Sequence, residues 1–369
     1  MPKRAGAKTV LTPTEREDLF YEFLAGEARS SLLASIVQMG LPALLADRGP
    51  MTERDIIVAL ALHPQRGRKW LLLLRYVHLL EEVSGSAAGA TPRYRSSPLV
   101  RALFMENGRG GYFYRDFLRY WNRSRSHDIV QVLRGGPVPE SVPYPPKTRE
   151  DTRLLHEWMR STAEETFAKI RTHVDFKRVG QLLDVAGGDG TMATRIVAGN
   201  PDIRVTVFNL PAAAALARQR IAEAGVTDRV RVVEGDFFTD RLPRGFDMLM
   251  FSRVLADWPR ETCRMLLAKA HASLRPGGTL LICEPLSDDN PALTIAWEHS
   301  YLPYDDFGVQ LYKPLGLYKE LLRETGFALS KVYPRDRASI HSVLVAKRPQ
   351  ARTRRRPLTP ARSSRSRAT

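Results

Sequence analysis

The sequence predicts an α/β chain: a doubly wound, mostly parallel sheet preceded by a mainly helical domain. Three observations carry this. Apolar, β-rich runs near 180–185, 203–208, 229–234, 246–251 and 278–283 alternate with helical spacers, the rhythm of parallel strands joined by crossover helices. The first run, Leu182-Leu183-Asp184-Val185, ends in a glycine cluster, Ala186-Gly187-Gly188-Asp189-Gly190, and a helical pattern follows from Met192 to Ala198. The last two runs, Leu329–Tyr333 and His341–Lys347, are joined by a short link, so they pair antiparallel.

Ahead of the sheet, residues 1–13 are a basic leader without periodicity. From Thr14, a candidate N-cap, a helical pattern runs to about Met39 through Leu19, Phe20, Phe23, Leu24, Leu32, Leu33, Ile36 and Val37. Gly40-Leu41-Pro42 breaks it. Two short helices follow, one from Met51 and one from Arg66 to Glu82, with a turn at His63-Pro64. Thr91–Pro98 reads as the wing of a winged helix-turn-helix. Such a motif with Arg66, Arg68, Lys69 and Arg75 would suit DNA. However, the recognition-helix stretch, Lys69-Trp-Leu-Leu-Leu-Leu-Arg-Tyr-Val-His-Leu-Leu, is apolar nearly all round. That composition suits a subunit interface better than a groove, so a homodimer is expected and nucleic acid is not. Helical segments near 99–106 and 110–134 lead to a Pro-rich link, and a helix spans about Arg149–Val174. The expected domains are thus 1–13 (disordered leader), 14–148 (winged-helix dimerisation domain and linker), 149–347 (cofactor-binding domain) and 348–369 (disordered tail).

Composition narrows the function. With 369 residues and 43% hydrophobic content, the chain can bury a real core. It has no apolar run of membrane-spanning length and no signal-peptide pattern at its start, and two cysteines make no disulfide framework or metal pattern. A cytoplasmic, metal-free protein without a membrane partner is expected. The net charge of +16 is half tail: from Arg348 to Thr369 there are eight arginines and no acid. That Pro/Ser/Arg-rich stretch lacks the apolar residues to fold.

The glycine turn suits a cofactor pressed against the backbone, because Gly187, Gly188 and Gly190 carry no Cβ. Gly188-x-Gly190-x-x-Ala193 also fits the dinucleotide fingerprint, but the acid expected to bind the ribose after the second strand is Asn209 here. The third strand ends in Glu234-Gly235-Asp236-Phe237. Asp236 can accept from an adenine amino group and Phe237 can stack on the ring, a pair that dinucleotide folds do not require. S-adenosylmethionine (SAM) is the better match.

Asp184-x-x-Gly-Gly-x-Gly190, Asn209-Leu210-Pro211, Glu234-Gly-Asp236-Phe-Phe and Leu274-Arg-Pro-Gly-Gly278 together resemble the SAM-dependent small-molecule O-methyltransferase family over about residues 15–347. Val142–Asp151, Glu157–Ser161, Phe251-Ser252-Arg253-Val-Leu255 and Tyr318–Leu322 are most similar to its bacteriochlorophyllide C-20 and hydroxyneurosporene methyltransferase branch. The resemblance implies a class I, Rossmann-like seven-stranded sheet behind a winged-helix dimerisation domain. It also implies a SAM site at Asp184, Gly187, Gly188, Asn209, Leu210, Asp236, Phe237, Ser252 and Arg253, with Met159 and Arg160 near the sulfonium.

One departure matters. The family's fourth strand leads into Leu-His-Asp-Trp, whose His deprotonates the acceptor hydroxyl; this chain reads Leu255-Ala256-Asp257-Trp258. Alanine takes no proton, which favours methylation of an electron-rich carbon in a flat aromatic, tetrapyrrole or polyene metabolite. Substitute acid/base candidates are Glu157 (with His156 beside it), Tyr144 and His299. Trp158, Ala256, Trp258, Tyr301, Tyr304 and Phe307 are candidates for the acceptor's walls. Three alternatives stay open: O-methylation with a substitute base, other SAM chemistry such as cyclopropanation with a radical-SAM partner enzyme, and a catalytically silent SAM-fold regulator.

Overall fold

The computed structural model describes residues 12–83, 91–105, 118, 128–138, 144, 146–305, 307–336 and 339–350, with the side chains of Pro13, Trp158 and Ser161 left aside. The chain parts near residue 139 into two compact units. The stretch carrying Tyr144 therefore goes with the second unit, ahead of the boundary expected at 148/149.

In the first unit, helix α1 (Pro13–Gln38) starts two residues earlier than expected. Thr12, not Thr14, is the N-cap, because only Thr12 stands three residues before Glu15 and closes a reciprocal capping box with it. Helices α2 (Leu41–Arg48), α3 (Glu53–Ala59) and α4 (Pro64–Tyr76) follow, with α5 (Pro98–Phe104) and the short α6 (Ile129–Leu133) later; most of the expected 110–134 helix lies outside the described residues. Strands β1 (Met51–Thr52), β2 (Leu80–Val83) and β3 (Arg93–Ser96) form an antiparallel sheet in the order β1-β3-β2. The helix expected to reach Glu82 stops at Tyr76. His78 takes a left-handed φ of 57°, and buried Leu80 pairs with Ser96 in the sheet. The core of this unit joins Ile36, Leu41, Ile56, Leu71, Leu74 and Val100. Phe20, Phe23, Leu73 and Tyr76 remain exposed.

The second unit opens with α7 (Arg149–Ser161) and α8 (Ala163–His173), where one helix was expected. The break at Thr162 has a local cause. The Met159 carbonyl, which should accept from the helix four residues on, instead accepts from Thr162 Oγ1 and from Arg253 Nη2. Then come β4 (Gln181–Val185), α9 (Thr191–Gly199), β5 (Arg204–Asn209), α10 (Pro211–Glu223), β6 (Val230–Glu234) and β7 (Phe246–Ser252). After them follow α11 (Arg260–Ser273), β8 (Leu274–Glu284), α12 (Pro291–Tyr301), α13 (Leu315–Glu324), β9 (Ala328–Tyr333) and β10 (Ser342–Lys347).

The seven strands run β6-β5-β4-β7-β8-β10-β9, parallel except β10, which is antiparallel to both its neighbours. Successive side chains of a strand point to opposite faces. Leu183, Leu249 and Phe251 pack under α11 and α13, while Leu182, Met248 and Met250 pack under α8 and α9. With both faces covered, the strands read as unbroken apolar runs. Strand order reverses between β4 and β7, so a crevice opens beyond their carboxyl ends. Arg348, expected to open the tail, is tied down: its N–H donates to Gly278 O at 2.9 Å and its guanidinium to His271 O at 2.7 Å. Residues 351–369 lie outside the described residues, as do residues 1–11 of the leader. Among the described residues no single helix is long and apolar enough to cross a membrane.

Leu249 is fully buried on the central strand. Leu249→Ala is expected to lower stability by about 2–5 kcal/mol, measured as a shift in the denaturant midpoint; a shift equal to that of a surface Leu→Ala control would contradict this packing.

Candidate functional site

Two residues with left-handed backbone, each at the carboxyl end of a central strand, mark the crevice. Ala186 after β4 has φ 55° and Arg253 after β7 has φ 58°. Non-glycine residues hold such conformations at a cost that gathers at functional sites. Between Ala186 and α9 the chain turns through Gly188 and Gly190, both with positive φ. Gly187 has a steric reason of its own: a Cβ there would lie 2.5 Å from Asp184 Oδ2. Gly188 faces His156, whose Nδ1 would be 3.4 Å from a Cβ on it. His156 is thereby packed over the glycine turn, and burial lowers its pKa while the nearby Asp189 opposes the shift.

Asp184 is buried and Arg253 half-buried, and each keeps one buried polar atom without a hydrogen-bond partner. Asp184 Oδ2 has no hydrogen-bond partner, and burial pushes the carboxyl up to about 7 against the pull of Arg253. The Arg253 guanidinium donates to Met159 O at 3.0 Å and to Thr162 Oγ1, while its Nε has no partner. Unpaired buried polar atoms are costly unless a ligand completes them. An unpaired carboxylate oxygen and an unpaired guanidinium nitrogen suit the zwitterionic amino-acid end of SAM.

Asn209, a candidate for the cofactor's ribose, is already engaged. Its Nδ2 donates to Gly188 O at 3.2 Å and its Oδ1 accepts from Leu210 N at 2.9 Å, so it shapes the turn as well as facing it. Asp236 Oδ1 accepts from Phe238 N at 2.8 Å, which leaves one carboxylate oxygen outside that turn. The Phe237 ring stands edge-on to Trp258 at 5.7 Å. Arg160 is turned toward Asp189, 4.0 Å away, and Arg220 Nε approaches the same carboxylate at 3.1 Å.

The acceptor-wall candidates form one aromatic cluster. Tyr144 stacks on Phe307 at 4.7 Å and lies 5.7 Å from Trp258. Phe307 meets the edge of Tyr301 at 4.7 Å, and Tyr301 in turn neighbours Trp297 and Tyr304 at 6.0 and 6.4 Å. Ala256, 5% exposed, packs with Leu311, Tyr312, Trp297, Tyr301 and Phe307. Of Trp158 only its backbone place in α7 is described.

The three acid/base candidates part company. Glu157 is exposed on α7 and ion-paired to Arg153 at 2.5 Å, the arrangement of a solvated helix face. His299 sits on α12, the helix that also carries Trp297 and Tyr301. Tyr144 donates a hydrogen bond to Asp257 Oδ2 at 2.6 Å. Burial, with Asp257 next, holds the Tyr144 phenol well above its usual range. Burial pushes Asp257 up to about 6, opposed by the Tyr144 hydrogen bond, Lys313 and Arg253.

Two supports escaped sequence reasoning. Glu284, fully buried, accepts from Val254 N at 2.8 Å and Leu255 N at 2.9 Å through Oε1, and burial pushes its carboxyl up to about 8. Lys313, also buried, donates to Ala256 O at 2.8 Å, and burial lowers its pKa. Both act on backbone from distant parts of the chain. The only local signals were an acid ending a buried strand and a lysine in an apolar run.

A seven-stranded sheet of this order, with a glycine turn and an open acid–base pair at its switch point, defines a class I SAM-dependent methyltransferase. A family model described as an O-methyltransferase domain matches residues 144–308. The chain is 31% identical over 299 residues to N,N-dimethyltransferase OxyT of Streptomyces rimosus, covering 78% of this chain and 83% of that one. It is 31% identical over 202 residues to bacteriochlorophyllide d C-20 methyltransferase of Chlorobaculum tepidum, covering 54% of this chain and 60% of that one. Among solved structures, the SAM-dependent methyltransferase SibL matches with a TM-score of 0.73 and 27% identity, over 90% of this chain and 99% of that chain. The chain belongs to the O-methyltransferase domain family and is a SAM-dependent small-molecule methyltransferase.

Gly187→Ala should weaken SAM binding by at least about tenfold, roughly 1.4 kcal/mol, because the new Cβ displaces the Asp184 carboxylate. Calorimetric titration measures this, and an unchanged affinity would remove Asp184 from the cofactor's contacts.

Proposed function

We propose that this enzyme transfers the methyl group of SAM to a carbon of a planar, electron-rich aromatic metabolite in specialised biosynthesis. The observation that carries the reading is Ala256: a buried methyl side chain where the family's proton acceptor stands, enclosed by Trp297, Tyr301, Tyr312 and Phe307. Kinship alone does not choose the acceptor atom, since the names of the family and of the two relatives specify oxygen, nitrogen and carbon. Ala256 does bear on it. An oxygen acceptor needs a base beside the reacting atom, whereas an aromatic carbon attacks first and loses its proton afterwards.

SAM supplies an activated methyl on a sulfonium. The chain's residues hold and orient. Asp184 and Arg253 take the cofactor's ammonium and carboxylate, with Met159, Arg160 and Ser252 around them. Gly187 and Gly188 let it lie against the backbone, and Asn209, Leu210, Asp236 and Phe237 receive its ribose and adenine. Tyr144, Trp258, Tyr301, Tyr304 and Phe307 sandwich the acceptor and exclude water. Fixing two reactants in line supplies about 7–11 kcal/mol of the barrier reduction, enough to do without a base at position 256. The exposed Phe20, Phe23, Leu73 and Tyr76 of the first unit suit contact with a second copy of the chain.

The test is incubation of the purified enzyme with trideuteromethyl-SAM and a metabolite extract of the producing organism, read by mass spectrometry. A labelled aromatic product is expected. SAM binding without any labelled product would overturn the reading.

A further inference from the structure

We infer that Tyr144 and Asp257 together take a proton from the acceptor, which is therefore an arene whose phenol-type O–H is conjugated with the carbon to be methylated. This deepens the carbon-methylation reading and rests on it.

Three features point to the pair. The Tyr144 hydroxyl donates to Asp257 Oδ2 at 2.6 Å, and its ring stacks on Phe307 at 4.7 Å and lies 5.7 Å from Trp258, both candidates for the acceptor's wall. Asp257 is the residue next to Ala256, so the proton acceptor has moved one position along the chain. A phenol one ring position from the reacting carbon, rather than at it, needs such a shift. The third feature is charge. Among the described residues Asp257 forms no ion pair: Lys313 bonds Ala256 O and Arg253 bonds Met159 O and Thr162 Oγ1, so both cations act on Asp257 only through space. Partial burial of a carboxylate without a direct ion pair costs stability, and such groups gather where they do chemistry.

The segment is also rigid. Glu284 holds the N–H groups of Val254 and Leu255, Lys313 holds the Ala256 carbonyl, and Gly308 N donates to Asp257 O at 3.1 Å. A Cβ on Gly308 would lie 3.2 Å from the Trp258 carbonyl carbon, so glycine permits this close approach.

The step balances. The acceptor's O–H proton passes to Tyr144 Oη as the Tyr144 proton passes to Asp257 Oδ2. The freed electron pair is delocalised onto the ring carbon, which forms the new carbon–carbon bond as the methyl–sulfur bond breaks. Sulfur keeps that pair, leaving S-adenosylhomocysteine. The ring carbon then loses its hydrogen as a proton to water and aromaticity returns, while the oxygen takes back its proton from Asp257 through Tyr144; the carboxylate is restored and one proton is released per turnover.

The full-length enzyme is assayed with trideuteromethyl-SAM and the extract, used as isolated and after diazomethane has capped its phenols. Labelled product is expected from the first and none from the second. Tyr144→Phe and Asp257→Asn should each cut the rate by about a hundredfold or more, with SAM affinity within about twofold of wild type. Raising the pH should restore much of the lost rate, since the acceptor then ionises in water; a merely structural role gives no such rescue. The wild-type rate should fall below about pH 6 as Asp257, facing Tyr144, Arg253, Lys313, Glu284, Cys263, Tyr301 and Tyr312, becomes protonated. Product from the capped extract, or variant losses that do not recover with pH, would overturn the pair's role and leave carbon methylation standing. No labelled product from either extract would instead remove the reading beneath it.

Discussion

The site depends on one buried carboxylate. Glu284 ends β8 and reaches across to the loop after β7, where a single oxygen accepts the N–H groups of Val254 and Leu255. Those donors would otherwise be buried and unpaired, at a cost of about 1–3 kcal/mol each. Its position next to the sheet's switch point means that the loop carrying Arg253, Ala256, Asp257 and Trp258 is fixed by the same strand ends that border the crevice there. Lys313 completes the hold by accepting burial in order to bond the Ala256 carbonyl. The chemistry is therefore mounted on rigid backbone, as positioning of two reactants requires.

The same economy ties the cofactor half to the acceptor half. Arg253 bonds the Met159 carbonyl and Thr162, breaking what would be one helix into α7 and α8. On the helix before that break, His156 lies against Gly188 and Arg160 lies 4.0 Å from Asp189. One residue with a strained backbone thus stands at the carboxyl end of β7 and bonds the turn between the two helices.

Much of this was legible in the amino acids. The strands were readable because burial on both faces makes each an unbroken apolar run, and the short link between β9 and β10 forced their antiparallel pairing. The aromatic wall was legible as a list of residues, and the absence of the histidine at Ala256 was visible from its retained neighbours. What escaped was set by long-range contacts. Thr162 looks like any helical threonine until Arg253 is near it, and Glu157 looks like a base until Arg153 neutralises it on the surface. Leu80 and Glu82 continue a helical pattern, yet strand pairing with β3 decides their state. Lys313 shows locally only the apolar run around it, and nothing there tells that it reaches the Ala256 carbonyl.

The most direct test of carbon as acceptor is the attachment of the transferred methyl group. With methyl-13C SAM as donor, the NMR spectrum of the purified product should show the labelled methyl bonded to a ring carbon, with coupling between the two carbons in a ring-labelled acceptor. A label bonded to oxygen or nitrogen would contradict the account, and the meaning assigned to Ala256 would fall with it.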